Sequence, residues 1–217
     1  MKKRNPILTI LLLALTMCAS CGSGGKAPET STNSLGQKNP LVTLTMENGK
    51  QIFIELYPTI APNTVYSFVS LIKQGFYDGL IFHRVIPGFM IQGGDPLGNG
   101  LGGPGYSIFG EFNNNEFENS IQHKRGVISM GRKGDLYDPK PYYNTAGSQF
   151  FIMVADAVSL DGDYAAFGIV LSGLDVADQI VSEKRDARDK PLNDQRIKTM
   201  TVDTFGVDYP EPEKIIE

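Results

Sequence analysis

The chain has 217 residues, of which 41% are hydrophobic and 20% are charged, and its formal net charge is −4. This length accommodates one domain of about 150–170 residues with appended segments, and the composition is ordinary for a globular protein. Because the charge is mildly acidic and leaves no basic footprint, we do not expect a nucleic-acid partner.

The first twenty residues have the pattern of an export signal. A basic stub at 2–4 precedes an apolar run at 7–17, which is too short to cross about 30 Å of hydrocarbon as a helix. Small residues then precede Cys21 in a pattern that resembles a bacterial lipobox. Residues 1–20 are therefore predicted to be a lipoprotein signal peptide and Cys21 the lipidation site, with Cys18 as the less favoured alternative. This places the protein in a bacterial cell envelope, anchored on the periplasmic side of a membrane.

The rest of the chain divides by composition. Residues 21–39 hold the lipidated cysteine and a polar, Gly/Ser/Thr-rich tether, which we expect to be flexible. Residues 40–206 carry the hydrophobic segments of one domain, and residues 207–217 form a Pro/Glu-rich tail. Because no cysteine follows residue 21, the domain must be stable without a disulfide.

Within the domain the pattern predicts short strands and two helices. Alternating apolar residues at 41–46 and 51–56, with Asn-Gly between them, indicate a β-hairpin. An amphipathic helix should begin at Pro62 and end at Gly75, and a second helix is expected over 174–184. Further strands are predicted at 80–85, 90–92, 127–130, 150–153, 166–170 and 197–205. Many short strands with only two helices indicate a closed barrel.

Four short blocks carry the most specific pattern in the chain. Residues 82–95 read Phe-His-Arg-Val-Ile-Pro-Gly-Phe-Met-Ile-Gln-Gly-Gly-Asp, and residues 147–152 read Gly-Ser-Gln-Phe-Phe-Ile. Leu-Asp-Gly follows at 160–162 and Phe-Gly at 167–168. In this order and spacing the blocks resemble the cyclophilin family of peptidyl-prolyl cis/trans isomerases, and the resemblance extends over about residues 40–206.

The resemblance implies both a fold and an activity. The fold would be mainly β, a closed eight-stranded antiparallel barrel capped by two α-helices. The activity would be cis/trans isomerisation of X–Pro bonds without a cofactor or metal, on proline-containing unfolded or partly folded polypeptides. Given the export signal, we expect these clients to be other exported proteins, and we expect the enzyme to be monomeric.

The resemblance also assigns roles to individual residues. Arg84 matches the family's catalytic arginine, and a fixed donor at the prolyl nitrogen would weaken the lone-pair delocalisation behind the roughly 18–20 kcal/mol rotation barrier. Gln92 can orient Arg84 or hold the moving carbonyl, and apolar side chains can grip the proline ring. The predicted catalytic residues are Arg84, Phe89, Gln92 and Phe151. The predicted substrate-binding residues are Met90, Gly131, Arg132, Gln149, Leu160 and Tyr164.

Three features depart from the family pattern. Ser159 lies where many eukaryotic members carry a tryptophan that is used in binding cyclosporin, and Tyr164 lies where they carry a histidine. An insertion that includes residues 134–143 joins two segments that border the substrate groove. We expect it to edge the pocket for residues that precede the proline, and a surface loop without such a role is the alternative.

Two other functions are compatible with parts of the pattern. A binding or holdase module on the same fold would catalyse only incidentally, but it would have no need of the arginine. A lipocalin-like carrier would also be a barrel, but it leaves the 82–95 block unexplained. His83 and His123 are the only histidines, and no paired carboxylates stand out, so we predict no metal site and no hydrolytic site. His83 is expected to pack in the core or behind the site.

Overall fold

The computed structural model describes residues 27–134 and 137–216. The predicted signal peptide, at 1–20, and the predicted lipidation site, Cys21, lie outside these residues.

Eight antiparallel strands form one sheet. They are β1 Leu41–Met46, β2 Gln51–Leu56, β3 Arg84–Ile86, β4 Met90–Gly93, β5 Val127–Met130, β6 Phe150–Met153, β7 Ala166–Ser172 and β8 Ile197–Asp203. Their order across the sheet is β3-β4-β6-β5-β7-β2-β1-β8. The predicted hairpin is confirmed, since β1 pairs with β2 in a register that sets Leu44 opposite Ile52. Gly49 closes its turn at a φ of 80°, which an L side chain rarely adopts.

The expectation of a closed barrel is wrong, because the ladder of strands is open. β3 and β8 are the two edge strands. The chain before β3 meets residues 195–197 through an isolated bridge between Ile81 and Arg196 and a few backbone hydrogen bonds, without a strand ladder. β3 is three residues long, and the loop before β8, rather than β8 itself, meets its free edge. There the Val85 N–H donates a hydrogen bond to the Asp189 carbonyl at 2.8 Å. The sheet is therefore curled, but it is not sealed by strand pairing.

Helix α1 spans Pro62–Lys73, and its amphipathic pattern is confirmed because its apolar face is buried. Ala61 at the N-cap provides no side-chain hydrogen bond. The carboxylate of Glu111 replaces that cap: it accepts hydrogen bonds from the Asn63 N–H at 2.9 Å and the Thr64 N–H at 2.8 Å. An acidic group from a distant segment thus satisfies helix N-terminal donors and complements the helix dipole.

Helix α2 spans Leu174–Val181, so it is shorter than the 174–184 predicted from periodicity. Ser182 is the C-cap, and its N–H still bonds back to the Asp178 carbonyl. The chain then turns into an isolated bridge between Arg185 and Pro191, which the helix could not continue through. Because the helix ends here, the residues that follow it can form the loop that meets β3.

Aromatic rings fill the interior. Phe68 of α1 lies at the centre, with its ring centroid 5.0 Å from Tyr77, 5.5 Å from Phe150 and 5.1 Å from Phe167. All four side chains are fully buried. Close packing of this kind leaves dispersion contacts on every side of each ring. The packed interior disfavours the hollow carrier considered above.

The ordered contacts extend beyond 40–206 at both ends. On the amino-terminal side, the buried carboxylate of Glu55 accepts hydrogen bonds from the Ser31 N–H at 2.7 Å and from the Asn39 amide at 3.1 Å. On the carboxy-terminal side, the Asn63 side chain donates to the Glu213 carbonyl and accepts from its N–H. Part of the expected tether and part of the expected tail are therefore fastened to the domain.

Candidate active site

Strand register places three of the four predicted catalytic side chains on one face. Arg84 of β3 lies directly opposite Gln92 of β4, and Gln92 lies opposite Phe151 of β6. Met90 is two residues before Gln92 on the same strand, so it shares that face. Four residues from three segments are thus brought together by sheet pairing alone.

A cavity of about 670 Å³ opens over this face. Nine of the ten predicted site residues line it: Arg84, Phe89, Met90, Gln92, Gly131, Arg132, Phe151, Leu160 and Tyr164. Gln149 lines a neighbouring cavity of about 570 Å³, which shares Gln92, Gly100, Gly131 and Arg132 with the first. Several lining residues were not predicted from the sequence: His83, Gly98, Asn99, Gly100, Asp186, Arg188 and Lys190.

A chain of amides holds the arginine. The Arg84 guanidinium donates to Gln92 Oε1 at 3.4 Å, and Gln92 Nε2 donates to Gln149 Oε1 at 2.9 Å. Gln149 Nε2 in turn donates to the backbone carbonyls of Gly100 and Gly102. On its other side Arg84 Nε lies 3.9 Å from Asp189 Oδ2. Because each amide is oriented by the next, Gln92 presents an acceptor to the guanidinium and limits its freedom.

An apolar cluster forms the wall beside the guanidinium. Met90 and Phe151 are buried members of a cluster that is distinct from the main core, and Phe89, Leu160 and Tyr164 pack against it. The Phe151 and Tyr164 rings meet edge to face, with centroids 5.7 Å apart. The site therefore pairs a part-exposed permanent cation with an apolar surface.

Behind Phe151 lies a buried polar chain. His123 Nδ1 lies 2.9 Å from Asp161 Oδ1, and His123 Nε2 lies 3.0 Å from Ser129 Oγ. The His123 ring stacks on Phe151 with centroids 6.0 Å apart. Burial lowers the pKa of His123, which the Asp161 contact only partly offsets. No hydrolytic site is predicted from the sequence, and because Ser129 is fully buried it cannot attack a bound polypeptide.

His83 is buried beside Arg84, as expected, and it also contributes to the cavity lining. Desolvation lowers the pKa of His83, and the nearby Asp95 carboxylate opposes that shift. A neutral His83 therefore adds no charge to the site near pH 7.

Arg132 joins the pocket wall to the insertion. Its guanidinium lies 4.7 Å from the Tyr164 ring centroid and 5.2 Å from the Tyr143 ring centroid. Tyr143 is buried and meets the Phe112 ring edge to face. The end of the insertion is thus packed against the site. Lys133 and Thr145, on either side of the insertion, help to line the second cavity, whereas residues 137–143 do not.

Within residues 27–134 and 137–216, no group of three or more His, Cys, Asp or Glu side chains is arranged to hold a metal ion. In the same part of the chain, no helix is long and apolar enough to cross a membrane.

Comparison with known proteins identifies the class to which this fold and site belong. The family described as "Cyclophilin type peptidyl-prolyl cis-trans isomerase/CLD" matches residues 41–202. Peptidyl-prolyl cis-trans isomerase ppi1 of Schizosaccharomyces pombe is 43% identical over 148 residues, which is 68% of this chain and 89% of that protein. Peptidyl-prolyl cis-trans isomerase B of Bacillus subtilis is 47% identical over 132 residues, which is 61% of this chain and 84% of that protein.

A solved structure is also similar. The cyclophilin-type isomerase of Cryptosporidium parvum, crystallised in the presence of the dipeptide Ala-Pro, superposes with a TM-score of 0.65 at 30% identity, over 75% of this chain and 98% of that one. This chain belongs to the cyclophilin-type peptidyl-prolyl cis-trans isomerases. The predicted family and the predicted isomerase function are confirmed at that level.

Proposed function

We propose that the 670 Å³ cavity is the active site and that Arg84 is its central catalytic residue. The observation that carries this proposal is the placement of the Arg84 guanidinium at the edge of an apolar wall, held by the Gln92 amide. Isomerisation of an X–Pro bond needs no driving force, since the two isomers differ by only about 0.5–1 kcal/mol. The catalyst has only to lower the rotation barrier.

Arg84 supplies the donor for that step. As the bond twists, the prolyl nitrogen becomes pyramidal, and its lone pair leaves the conjugation that gives the planar amide its barrier. A guanidinium N–H directed at this lone pair stabilises the twisted state more than the planar one, which is the condition for catalysis. The charge of arginine does not depend on pH in the physiological range, so the donor is always present.

The apolar residues hold the ring while the preceding carbonyl moves. A pyrrolidine ring can pack against the wall formed by Phe89, Met90, Phe151 and Leu160, with Tyr164 at its edge.

Gly131 keeps the opposite side open: a Cβ added there would lie 3.3 Å from Gln149 Cβ and 3.5 Å from Gln92 Nε2. A side chain at this position would crowd the amide chain that orients Arg84. Arg132 and Gln149 complete the wall toward the second cavity.

An isomerase assay separates this proposal from a holdase. Wild-type protein should accelerate cis-to-trans conversion of a neutral Ala-Ala-Pro peptide, measured by NMR exchange spectroscopy at protein concentrations far below the peptide concentration. A holdase would instead delay aggregation of an unfolded client and leave the exchange rate unchanged. Absence of any rate acceleration would overturn the assignment of the cavity as a catalytic site.

We further propose that the protein works as a monomer, anchored by a lipid on Cys21 to a bacterial envelope membrane, on other exported polypeptides. The support for the anchor is the amino-terminal pattern of basic stub, short apolar run and small residues before the cysteine. One acyl chain binds membranes only marginally, whereas the several chains of a bacterial lipoprotein would anchor the domain firmly.

Two matched substitutions test the anchor. Cys21→Ser should remove the lipid and release the protein or leave its precursor unprocessed, whereas Cys18→Ser should change neither. The measurements are membrane fractionation and mass spectrometry of the mature amino terminus. A lipid found on Cys18 of the wild-type protein, or a lipid still attached to the Cys21→Ser protein, would contradict the assignment.

A further inference from the structure

The active-site cavity is basic although the chain as a whole is acidic. The full chain has a net charge of −4, yet the cavity lining holds four cationic side chains and one carboxylate. The cations are Arg84, Arg132, Arg188 and Lys190, and the carboxylate is Asp186. The isomerisation chemistry accounts for Arg84 alone, and Arg132 is stacked between two tyrosines. Arg188 and Lys190 have no role in the reaction as derived above.

The loop that carries these two cations uses its own carboxylates for its own structure. Asp186 accepts hydrogen bonds from the backbone N–H groups of Arg188 at 2.7 Å and Lys190 at 3.0 Å. Asp189 lies 3.1 Å from Arg185 Nε and 3.9 Å from Arg84 Nε. Both acidic groups are thus directed at partners other than the Arg188 and Lys190 side chains, although the Asp186 charge still borders the cavity.

The two remaining side chains are available to a ligand. Arg188 is exposed, and its charge interacts with the Asp186 carboxylate at a distance, without an ion pair between the two side chains among the described contacts. Lys190 is half-buried, and its ammonium donates at 3.3 Å to the backbone carbonyl of Gly98, while the nearby Asp186 carboxylate offsets part of its charge. An anionic side chain that entered here would meet two cations at the edge of a part-enclosed cavity, where ion pairs are screened less than on an open surface.

The position of the loop indicates which part of a substrate it meets. Arg188 and Lys190 line the first cavity and not the second, while Lys133 and Thr145 line the second and not the first. The two cavities share Gln92, Gly100, Gly131 and Arg132. An extended chain with its proline in the slot therefore runs from one side to the other. Since residues that precede the proline are expected beside the insertion, those that follow it leave past the loop.

We propose that Arg188 and Lys190 form a subsite for a carboxylate side chain on the residue that follows the proline. The enzyme would then favour Pro-Glu and Pro-Asp sequences over neutral ones. This inference rests on the proposed function and on the chain direction given above. It concerns which X–Pro bonds are turned over fastest, not whether turnover occurs.

Peptides that differ only after the proline test the preference. With Glu, Gln or Lys at that position, kcat/KM should be about three- to tenfold higher for Glu than for Gln at low salt, which is the range expected for part-exposed charge pairs. The ratio should fall toward one in 1 M NaCl, where the screening length is about 3 Å. NMR exchange is the suitable readout, because it needs no coupled protease with a sequence preference of its own.

Substitutions of Arg188 test whether this residue causes the preference for an acidic residue after the proline. Arg188→Gln should lower the ratio of kcat/KM for the Glu peptide to that for the Gln peptide. Arg188→Glu should reverse the charge preference, so that the Lys peptide is turned over faster than the Glu peptide. Lys73→Gln is the matched control, since it removes one positive charge at the exposed end of α1 and should leave the ratio unchanged. A second peptide set, with Glu or Gln before the proline, should show no comparable preference.

The outcomes that contradict the subsite are distinct from those that contradict the proposed function. Equal turnover of the Glu and Gln peptides, an unchanged ratio in Arg188→Gln, or a preference confined to the residue before the proline would each overturn the subsite. Failure to turn over the neutral peptide would overturn the proposed function instead. In that case chemical-shift titration with the Glu and Gln peptides still decides whether the two cations select an acidic residue.

Discussion

Substitution of Arg84 by alanine should remove most of the isomerase activity and leave the fold intact. The side chain is 42% exposed, and its contacts are one hydrogen bond of 3.4 Å to Gln92 and an ion pair of 3.9 Å to Asp189. Substitution of such a residue changes the free energy of unfolding by about 0.5 kcal/mol at most. The loss of one preorganised donor where charge develops costs about 2.7–4 kcal/mol in the transition state, or roughly 10²–10³ in rate.

The assay compares kcat/KM for a neutral proline peptide in wild type, Arg84→Ala and Arg84→Lys. Lysine retains the charge but not the planar fork of donors, so its activity should lie between the other two. Thermal unfolding midpoints serve as the control for folding and should agree among the three proteins. An alanine variant that folds normally and retains half of the wild-type turnover would refute the role derived for the guanidinium.

Two further predictions concern inhibitor binding and pH. Ser159 has neither the apolar area nor the indole donor of the tryptophan that many eukaryotic cyclophilins carry at this position. An interface aromatic commonly contributes about 2 kcal/mol or more, so cyclosporin should bind at least roughly thirtyfold more weakly than it binds to sensitive relatives. Titration of cyclosporin into the isomerase assay should show tighter inhibition of Ser159→Trp than of wild type. Nanomolar inhibition of wild type would contradict this. Burial lowers the pKa of both His83 and His123, so below about pH 6.5 the unfolded state binds more protons than the folded state. The free energy of unfolding should therefore fall as the pH is lowered from 7 to 5, by at most about 1.4 kcal/mol per pH unit for each histidine. Burial raises the pKa of Glu111, which has the opposite effect on the pH dependence of stability. Urea unfolding of wild type should therefore be compared with that of His123→Gln between pH 5 and 7. Equal slopes of unfolding free energy against pH in the two proteins would contradict a contribution from His123.

Much of the fold could be predicted because local patterns and tertiary contacts agree. β1, β2, β5 and β6 have the bounds expected from their apolar runs. The chain at 80–83, although apolar, forms only isolated backbone contacts with 195–197 across the seam instead of joining β3. Hydrophobicity reports burial rather than strand pairing, so it could indicate neither the short β3 nor the open edge.

The candidate site was predicted in part for a related reason. The residues around Arg84 lie in one long block that resembles the family, so they could be identified together. The loop with Arg188 is remote in sequence and reads as a run of alternating charges, which is typical of a solvated surface. The His123 chain draws its partners, Ser129 and Asp161, from separate segments, and only the folded sheet brings them into contact.

The hydrogen bonds between Ser31 and Glu55 would limit the reach of a lipid-anchored enzyme. If the proposed lipid is on Cys21, only residues 22–30 separate it from Ser31, which is fastened to β2. Fully stretched, such a segment spans no more than about 30 Å. A domain anchored in this way would be held within about that distance of the lipid. Clients would have to be presented close to the membrane, where newly translocated chains emerge.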